Sequence, residues 1–160
     1  QINTIQVGRG DSFIVDSVVF EVLHPVKDAP FSSGNNNSVV LKMSYKGISF
    51  LFTGDLEYEG EQSLISSKRD IRAHVLKIGH HGSATSTSEE FLSKVSPIYG
   101  VITVGADNNF GHPSPEVIKR LEERGITVFR TDINGAVTFK ISRDRVKICT
   151  TISAREHEKS

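Results

Sequence analysis

Two short apolar runs break off in the same manner, and that shared punctuation constrains the chain more than any other feature. Residues 48–52 lead into Thr53-Gly54-Asp55, and residues 74–78 lead into Gly79-His80-His81-Gly82-Ser83. A bounded apolar run of this length reads as a buried strand. One strand tip would then carry a carboxylate and the other two imidazoles. Between them, Tyr58, Glu61, Leu64 and Ile65 fall at helical spacing over residues 57–67, with glutamates early, as the helix dipole prefers. A strand, a crossover helix and a parallel strand would set Asp55 and the histidines on one edge of a sheet, where open α/β sheets place ligands. Carboxylate and imidazole together are metal-ligand chemistry.

The remaining segments predict an α/β chain that is β-rich first and alternates strand and helix later. Residues 2–7 alternate loosely and stop at Gly8-Arg9-Gly10-Asp11, a strand and a turn; the Arg-Gly-Asp tripeptide needs no other explanation than that turn. Residues 13–15 and 18–23 form a hairpin about Asp16-Ser17. His24, at its end, is expected to be structural. Residues 26–37 are rich in Pro, Ser, Gly and Asn and make a loop. Its Asn35-Asn36-Asn37 run is either a solvated turn or a set of amides beside the metal edge. Residues 38–45 pair with 48–53 across Lys46-Gly47. Residues 85–90 hold two registers of a capping box ahead of Phe91, Leu92 and Val95, and Pro97 closes that helix. Residues 101–104 are a strand, followed by a polar loop to His112. Ser114-Pro115-Glu116 opens a helix with a cap and a first-turn proline. Residues 126–130, 136–141 and 146–151 are strands, the last two an antiparallel pair about Ser142-Arg143-Asp144. A single domain over residues 1–153 with a charged, frayed tail at 154–160 follows.

Composition narrows the function classes. The 160 residues carry 19 basic and 19 acidic side chains, so no global field draws the chain to nucleic acid or an anionic membrane. No apolar run approaches the ~20 residues of a membrane helix. One cysteine, Cys149, excludes an internal disulfide.

A third imidazole, His112, sits in Gly111-His112-Pro113-Ser114, again after a strand and before a helix. Each of these ends has an ordinary reading alone: Asp55 as a helix cap, the His pair as a polar loop. Three such loops, each bearing a divalent-cation ligand, point to a metal edge. A carboxylate and imidazoles leave coordination positions open, and a water bound there falls from a pKa near 16 to about 7. Hydrolysis of a phosphate ester is a natural use of that arrangement. Ser83 follows the His pair but lacks the glycine-elbow setting of a serine nucleophile.

The motifs Thr53-Gly54-Asp55, Gly79-His80-His81-Gly82-Ser83 with Thr85-Ser86, the stretch from Gly105 to Ser114 containing Phe110-Gly111-His112-Pro113, and Ser33-Gly34-Asn35-Asn36-Asn37-Ser38 together resemble the C-terminal hydrolase-like domain of ComEC-type DNA-internalisation competence proteins. That domain belongs to the metallo-β-lactamase superfamily, and the resemblance spans residues 7–139. It implies an αββα architecture of mixed sheets flanked by helices, with zinc or manganese as cofactor. Asp55 would be the bridging ligand, with His80 or His81 supplying imidazole and Asp55 with His81 carrying the catalysis. Asn35, Asn36, Asn37, Ser83 and His112 would contact substrate, and Lys77 would add charge.

The chain departs from the superfamily pattern at two places. Asn35-Asn36-Asn37 stands where the superfamily has a histidine, and the first metal motif, His-x-His-x-Asp-His, is absent. The resemblance therefore implies the second half of the fold, incomplete at its N-terminus, with weak or no metal binding and little activity alone. The missing half of the fold and DNA are the expected partners, and an exposed sheet face would favour a homodimer. The parent is expected to be a cell-membrane protein with this domain outside the bilayer. The expected function is a metal-dependent phosphodiesterase that acts on DNA during uptake. The alternatives are a non-catalytic DNA-binding or structural module of the channel and a small-molecule metallo-hydrolase such as a lactamase.

Overall fold

The computed structural model describes residues 4–28, 31–142 and 145–152. Seven strands form one sheet: β1 (Ser12–Val15), β2 (Val18–His24), β3 (Val40–Tyr45), β4 (Ile48–Phe52), β5 (Val75–Lys77), β6 (Tyr99–Ile102) and β7 (Thr127–Arg130). Their spatial order is their chain order. Pairing is antiparallel from β1 to β4 and parallel from β4 to β7. Two-residue turns join β1 to β2 and β3 to β4 and can only reverse the chain, whereas each parallel partner from β4 onward needs a crossover. Lys46-Gly47, both at positive φ, supplies the turn between β3 and β4.

Three helices make those crossovers: α1 (Tyr58–Ser66), α2 (Glu89–Val95) and α3 (Pro115–Glu123). Ser88 caps α2 by accepting from Phe91 N, and Ser114 caps α3 with Pro115 in its first turn. All three helices pack on one face of the sheet. Leu64, Phe91, Leu92, Val95, Val117 and Leu121 bury against Leu51, Leu76 and Ile102, and each is essentially inaccessible to solvent. Each large apolar side chain so buried contributes roughly 1.5–3 kcal/mol. This single core fixes the strand ends and hence the loops that follow them.

The other face is partly covered. A short helix, α4 (Thr131–Asn134), leads to β8 (Val137–Ile141) and β9 (Val146–Thr150), which form a separate antiparallel sheet. Phe139 packs against Phe50, Tyr99 and Phe129 at ring separations of 5.4, 6.0 and 6.5 Å. The described residues thus stack as helices, a mixed sheet and a small second sheet, an α/β fold. Beyond the reach of β8 and β9 the same sheet face stays open, with Phe13 and Phe52 substantially exposed.

One expected strand does not form. Within the expected strand over residues 2–7, residues 4–7 have no ladder partner among the described residues and Ile5 is exposed; the chain meets β2 where Gly10 N donates to Val22 O and Val22 N to Asp11 O. Residues 2 and 3 of that expected strand lie outside the described residues, as do Arg143, Asp144 and the 154–160 tail. The helix α4 escaped the sequence reading because one turn is too short to show a period.

Candidate functional site

β4 and β5 run parallel and end side by side, so the segments after them meet. Gly54, at φ +57°, turns the chain under Ser38, where a Cβ would come within 3.0 Å of the serine side chain. Asp55 N then donates to Ser38 Oγ at 3.0 Å. The two tips are stitched together: Thr53 Oγ1 donates to Lys77 O at 2.8 Å and His80 N to Gly54 O at 3.2 Å. Lys77 Nζ donates to Gly54 O and Ile78 O at 3.0 and 3.2 Å. Burial holds the Lys77 ammonium below its ordinary pKa, opposed by nearby Asp55. The expected substrate charge of Lys77 is thus engaged on the backbone of both tips.

Residues 79–82 form a 3-10 turn in which His80 (φ 45°, ψ 48°) and His81 (φ 56°, ψ 19°) are both left-handed. Two consecutive non-glycine residues there cost of order 1–3 kcal/mol each, and such conformations cluster at functional sites. The turn aims the imidazoles. His81 Nδ1 lies 2.5 Å from Thr103 O, and a carbonyl only accepts, so Nδ1 carries the proton. Nε2 then faces Asp55 Oδ1 at 3.7 Å. With the imidazole neutral, two acceptors face each other across that gap.

His80 sits behind the pair. Its Nδ1 is buried without a hydrogen-bond partner, although Glu57 Oε1 lies 3.3 Å away out of line. Glu57 is itself oriented by Thr85 Oγ1, which donates to Oε1 at 2.8 Å. The sequence reading gave Glu57 no role at the site and named Thr85 only within the motif that follows the His pair. A glutamate at a helix start has an ordinary explanation, and the contact joins positions far apart in the chain.

His112 reaches the same edge, its ring centroid 5.7 Å from that of His80. Ser114 N donates to Gly82 O at 2.8 Å and locks its loop to the His pair. Burial, reinforced by repulsion from His80 and His81 whenever those rings are protonated, holds His112 below the ordinary histidine pKa. Asp55, His80, His81 and His112 are therefore brought together.

The remaining candidates have other work. Asn36 is buried, and its Oδ1 accepts from Glu57 N and Gly60 N, both at 3.1 Å. Asn37 uses its amide on the backbone of Phe31 and Ser33. Asn35 alone of the three has no side-chain hydrogen bond among the described residues. Ser83 is buried in the turn, its hydroxyl 3.0 Å from Thr85 Oγ1. His24, expected to be structural, is fully buried with Nε2 2.7 Å from Asn36 O.

A divalent ion fits the donor set in part. An ion ~2.1 Å from each ligand in tetrahedral geometry sets two ligands about 3.4 Å apart, near the separation of Nε2 and Oδ1. The Thr103 carbonyl supplies the outer hydrogen bond that ligating histidines characteristically make. Among the described residues, however, no three His, Cys, Asp or Glu side chains are arranged around one ion. The chain offers two donors and an adjacent unpartnered imidazole nitrogen.

Fold and edge together define an α/β domain with carboxylate and imidazole at parallel strand tips. No family model matches the chain. It is 42% identical over 135 residues to ComE operon protein 3 of Bacillus subtilis (strain 168), covering 84% of this chain and 17% of that protein. It is 41% identical over 133 residues to Competence protein ComA of Neisseria gonorrhoeae, covering 82% and 19%. With Recombination protein 2 of Haemophilus influenzae the identity is 35% over 129 residues, covering 81% and 16%. The chain belongs to this ComEC-type competence family and spans less than a fifth of the length of these relatives. Among the described residues no helix is long and apolar enough to cross a membrane.

Proposed function

We propose that this domain is the hydrolytic part of a DNA-uptake protein, a metal-dependent phosphodiesterase of the metallo-β-lactamase type. The observation that carries the proposal is the pair of acceptors, His81 Nε2 and Asp55 Oδ1, facing each other at 3.7 Å with the imidazole tautomer fixed from behind by Thr103 O. Two lone pairs held face to face repel unless a cation or a proton lies between them. Asp55 and His81 would hold the ion, with His80 adjacent. The remaining ligands would come from a His-x-His-x-Asp-His motif earlier in the full-length protein. Bound there, a divalent ion supplies an acidified water and neutralises phosphate oxygens.

The chain's own residues position and orient. In the neutral imidazole, Thr103 O holds the proton on Nδ1 and leaves Nε2 of His81 as the ligating nitrogen. Glu57, braced by Thr85, sets a carboxylate 3.3 Å from His80 Nδ1 behind the pair. Lys77 holds the β4 and β5 tips at a fixed separation, which sets the spacing of carboxylate and imidazole. His112 lines the rim and would contact a phosphate oxygen.

The test is manganese-dependent hydrolysis of single-stranded and duplex DNA by the full-length protein. Cleavage abolished by Asp55→Asn or His81→Ala supports the proposal. A folded full-length protein that cleaves neither substrate refutes it.

A second reading has one observation in its favour. Asn36, in the run that replaces a superfamily histidine, spends its side chain on the start of α1. That is the use expected in a module that keeps the fold without the chemistry. Metal analysis of the full-length protein separates the two, since a purely structural module holds none.

A further inference from the structure

Phe110 is the most exposed aromatic side chain among the described residues, with 81% of its surface open. Folding does not account for it, because a phenylalanine so exposed buries almost nothing. The loop that carries it is nevertheless well fastened. Asn108 Nδ2 donates to Gly105 O and His112 O at 3.0 and 2.8 Å, and Asn108 Oδ1 accepts from His112 N at 3.0 Å. One amide closes the loop at both ends and presents Phe110 at its tip.

The exposed ring is also oriented. It lies nearly parallel to His112, at 17° with centroids 6.1 Å apart, and His112 in turn lies 5.7 Å from His80. A shallow, largely apolar cavity of ≈ 180 Å³ lies between this loop and His81, lined by His81, Val104, Gly105, Asn108, Phe110 and His112. An open aromatic face therefore leads directly to the edge that holds Asp55 and His81.

We propose that Phe110 is a base-stacking platform that receives an unpaired nucleobase of single-stranded nucleic acid and lays the adjoining phosphate over the Asp55–His81 edge. The proposal rests on the hydrolase reading for what happens to that phosphate, but binding does not depend on it. Single strands suit the platform because a base paired within a duplex cannot offer its face. Charge points the same way. With 19 basic against 19 acidic residues, the chain carries no excess positive charge to draw in a phosphate backbone at long range, which leaves base contacts a larger share of the affinity. Stacking accepts every base, since each has a π-face.

The test is equilibrium binding by fluorescence anisotropy with the full chain in chelator, so that no cleavage intrudes. The probes are labelled oligothymidylate of about 12 nucleotides, within the footprint of single-strand binders, an abasic strand of equal length, and a blunt duplex. Phe110→Ala should weaken oligothymidylate binding about 5- to 150-fold and leave the abasic strand unaffected. Phe110→Trp should retain binding. Because the chain has no other tryptophan, its indole fluorescence should be quenched by oligothymidylate and not by the abasic strand. Equal losses on both strands, no loss, or no binding by the parent chain overturns the platform. So does a change in oligomeric state with Phe110→Ala, which would assign the ring to a protein interface. Base-dependent binding without hydrolysis by the full-length protein would leave the platform standing and remove the hydrolase reading. Hydrolysis indifferent to Phe110→Ala, with unchanged binding, would do the reverse.

Discussion

Asn36 caps the helix that begins beside Glu57: its buried Oδ1 accepts from both Glu57 N and Gly60 N at 3.1 Å. Loop and helix are far apart in the chain, so the cap also pins the loop preceding β3 against α1. Asn36→Ala leaves two backbone donors without that partner, at a cost of about 1–3 kcal/mol. Urea unfolding should show the loss as a lower midpoint with unchanged slope. A midpoint equal to the parent's would mean that solvent replaces the cap.

Gly82 joins the two histidine loops. It sits at φ +81°, and a Cβ there would meet Pro113 Cβ at 2.7 Å. Gly82→Ala therefore suffers both a disfavoured backbone and a clash. Gly111, at φ +70° with open space around it, provides the control, since Gly111→Ala bears only the backbone cost. Thermal unfolding should place Gly82→Ala below Gly111→Ala, and Gly111→Ala below the parent, with at least about 1 kcal/mol between the two variants. Equal midpoints would show that Pro113 moves aside freely.

Much of this was legible in the residues. The strand tips declared themselves because a buried apolar run that stops at Gly-Asp or Gly-His-His leaves no core position for those side chains. The long helices declared themselves through Ser88, Ser114 and Pro115, which satisfy the first helical donors in a recognisable order. What stayed hidden was tertiary. That Asn36 caps a distant helix, that Lys77 points back into its own strand tips, and that Glu57 lies beside His80 depend on contacts that no local spacing encodes. The alternation over residues 2–7 misled for a related reason, since alternation alone cannot provide a strand with a partner.

His24 gives the chain a pH-dependent stability. Burial holds its pKa below the ordinary 6.5, opposed in part by the hydrogen bond to the Asn36 carbonyl. The unfolded chain therefore binds this proton more readily than the folded one. His24 contributes full stability above its unfolded pKa, and that contribution is lost as pH falls through and below 6.5, with a limiting slope of about 1.4 kcal/mol per pH unit. His24→Gln should be less stable at neutral pH and lose less on acidification. The difference in unfolding free energy between parent and variant, followed from about pH 7 to pH 5, should shrink. A constant difference would place the titration elsewhere.

The central claim is that Asp55 and His81 face each other in order to hold a cation. The most direct test is zinc and manganese binding to the full-length parent protein and its Asp55→Asn and His81→Ala variants, with thermal midpoints recorded in chelator. An amide is neutral and a weak ligand, so Asp55→Asn should bind metal at least about tenfold less tightly, as should His81→Ala. In chelator Asp55→Asn should unfold at the parent's temperature or above it, because relieving two facing acceptors removes repulsion and breaks no core contact. If instead Asp55→Asn binds metal as tightly as the parent and unfolds earlier, Asp55 is a structural residue and the metal reading of this edge is wrong.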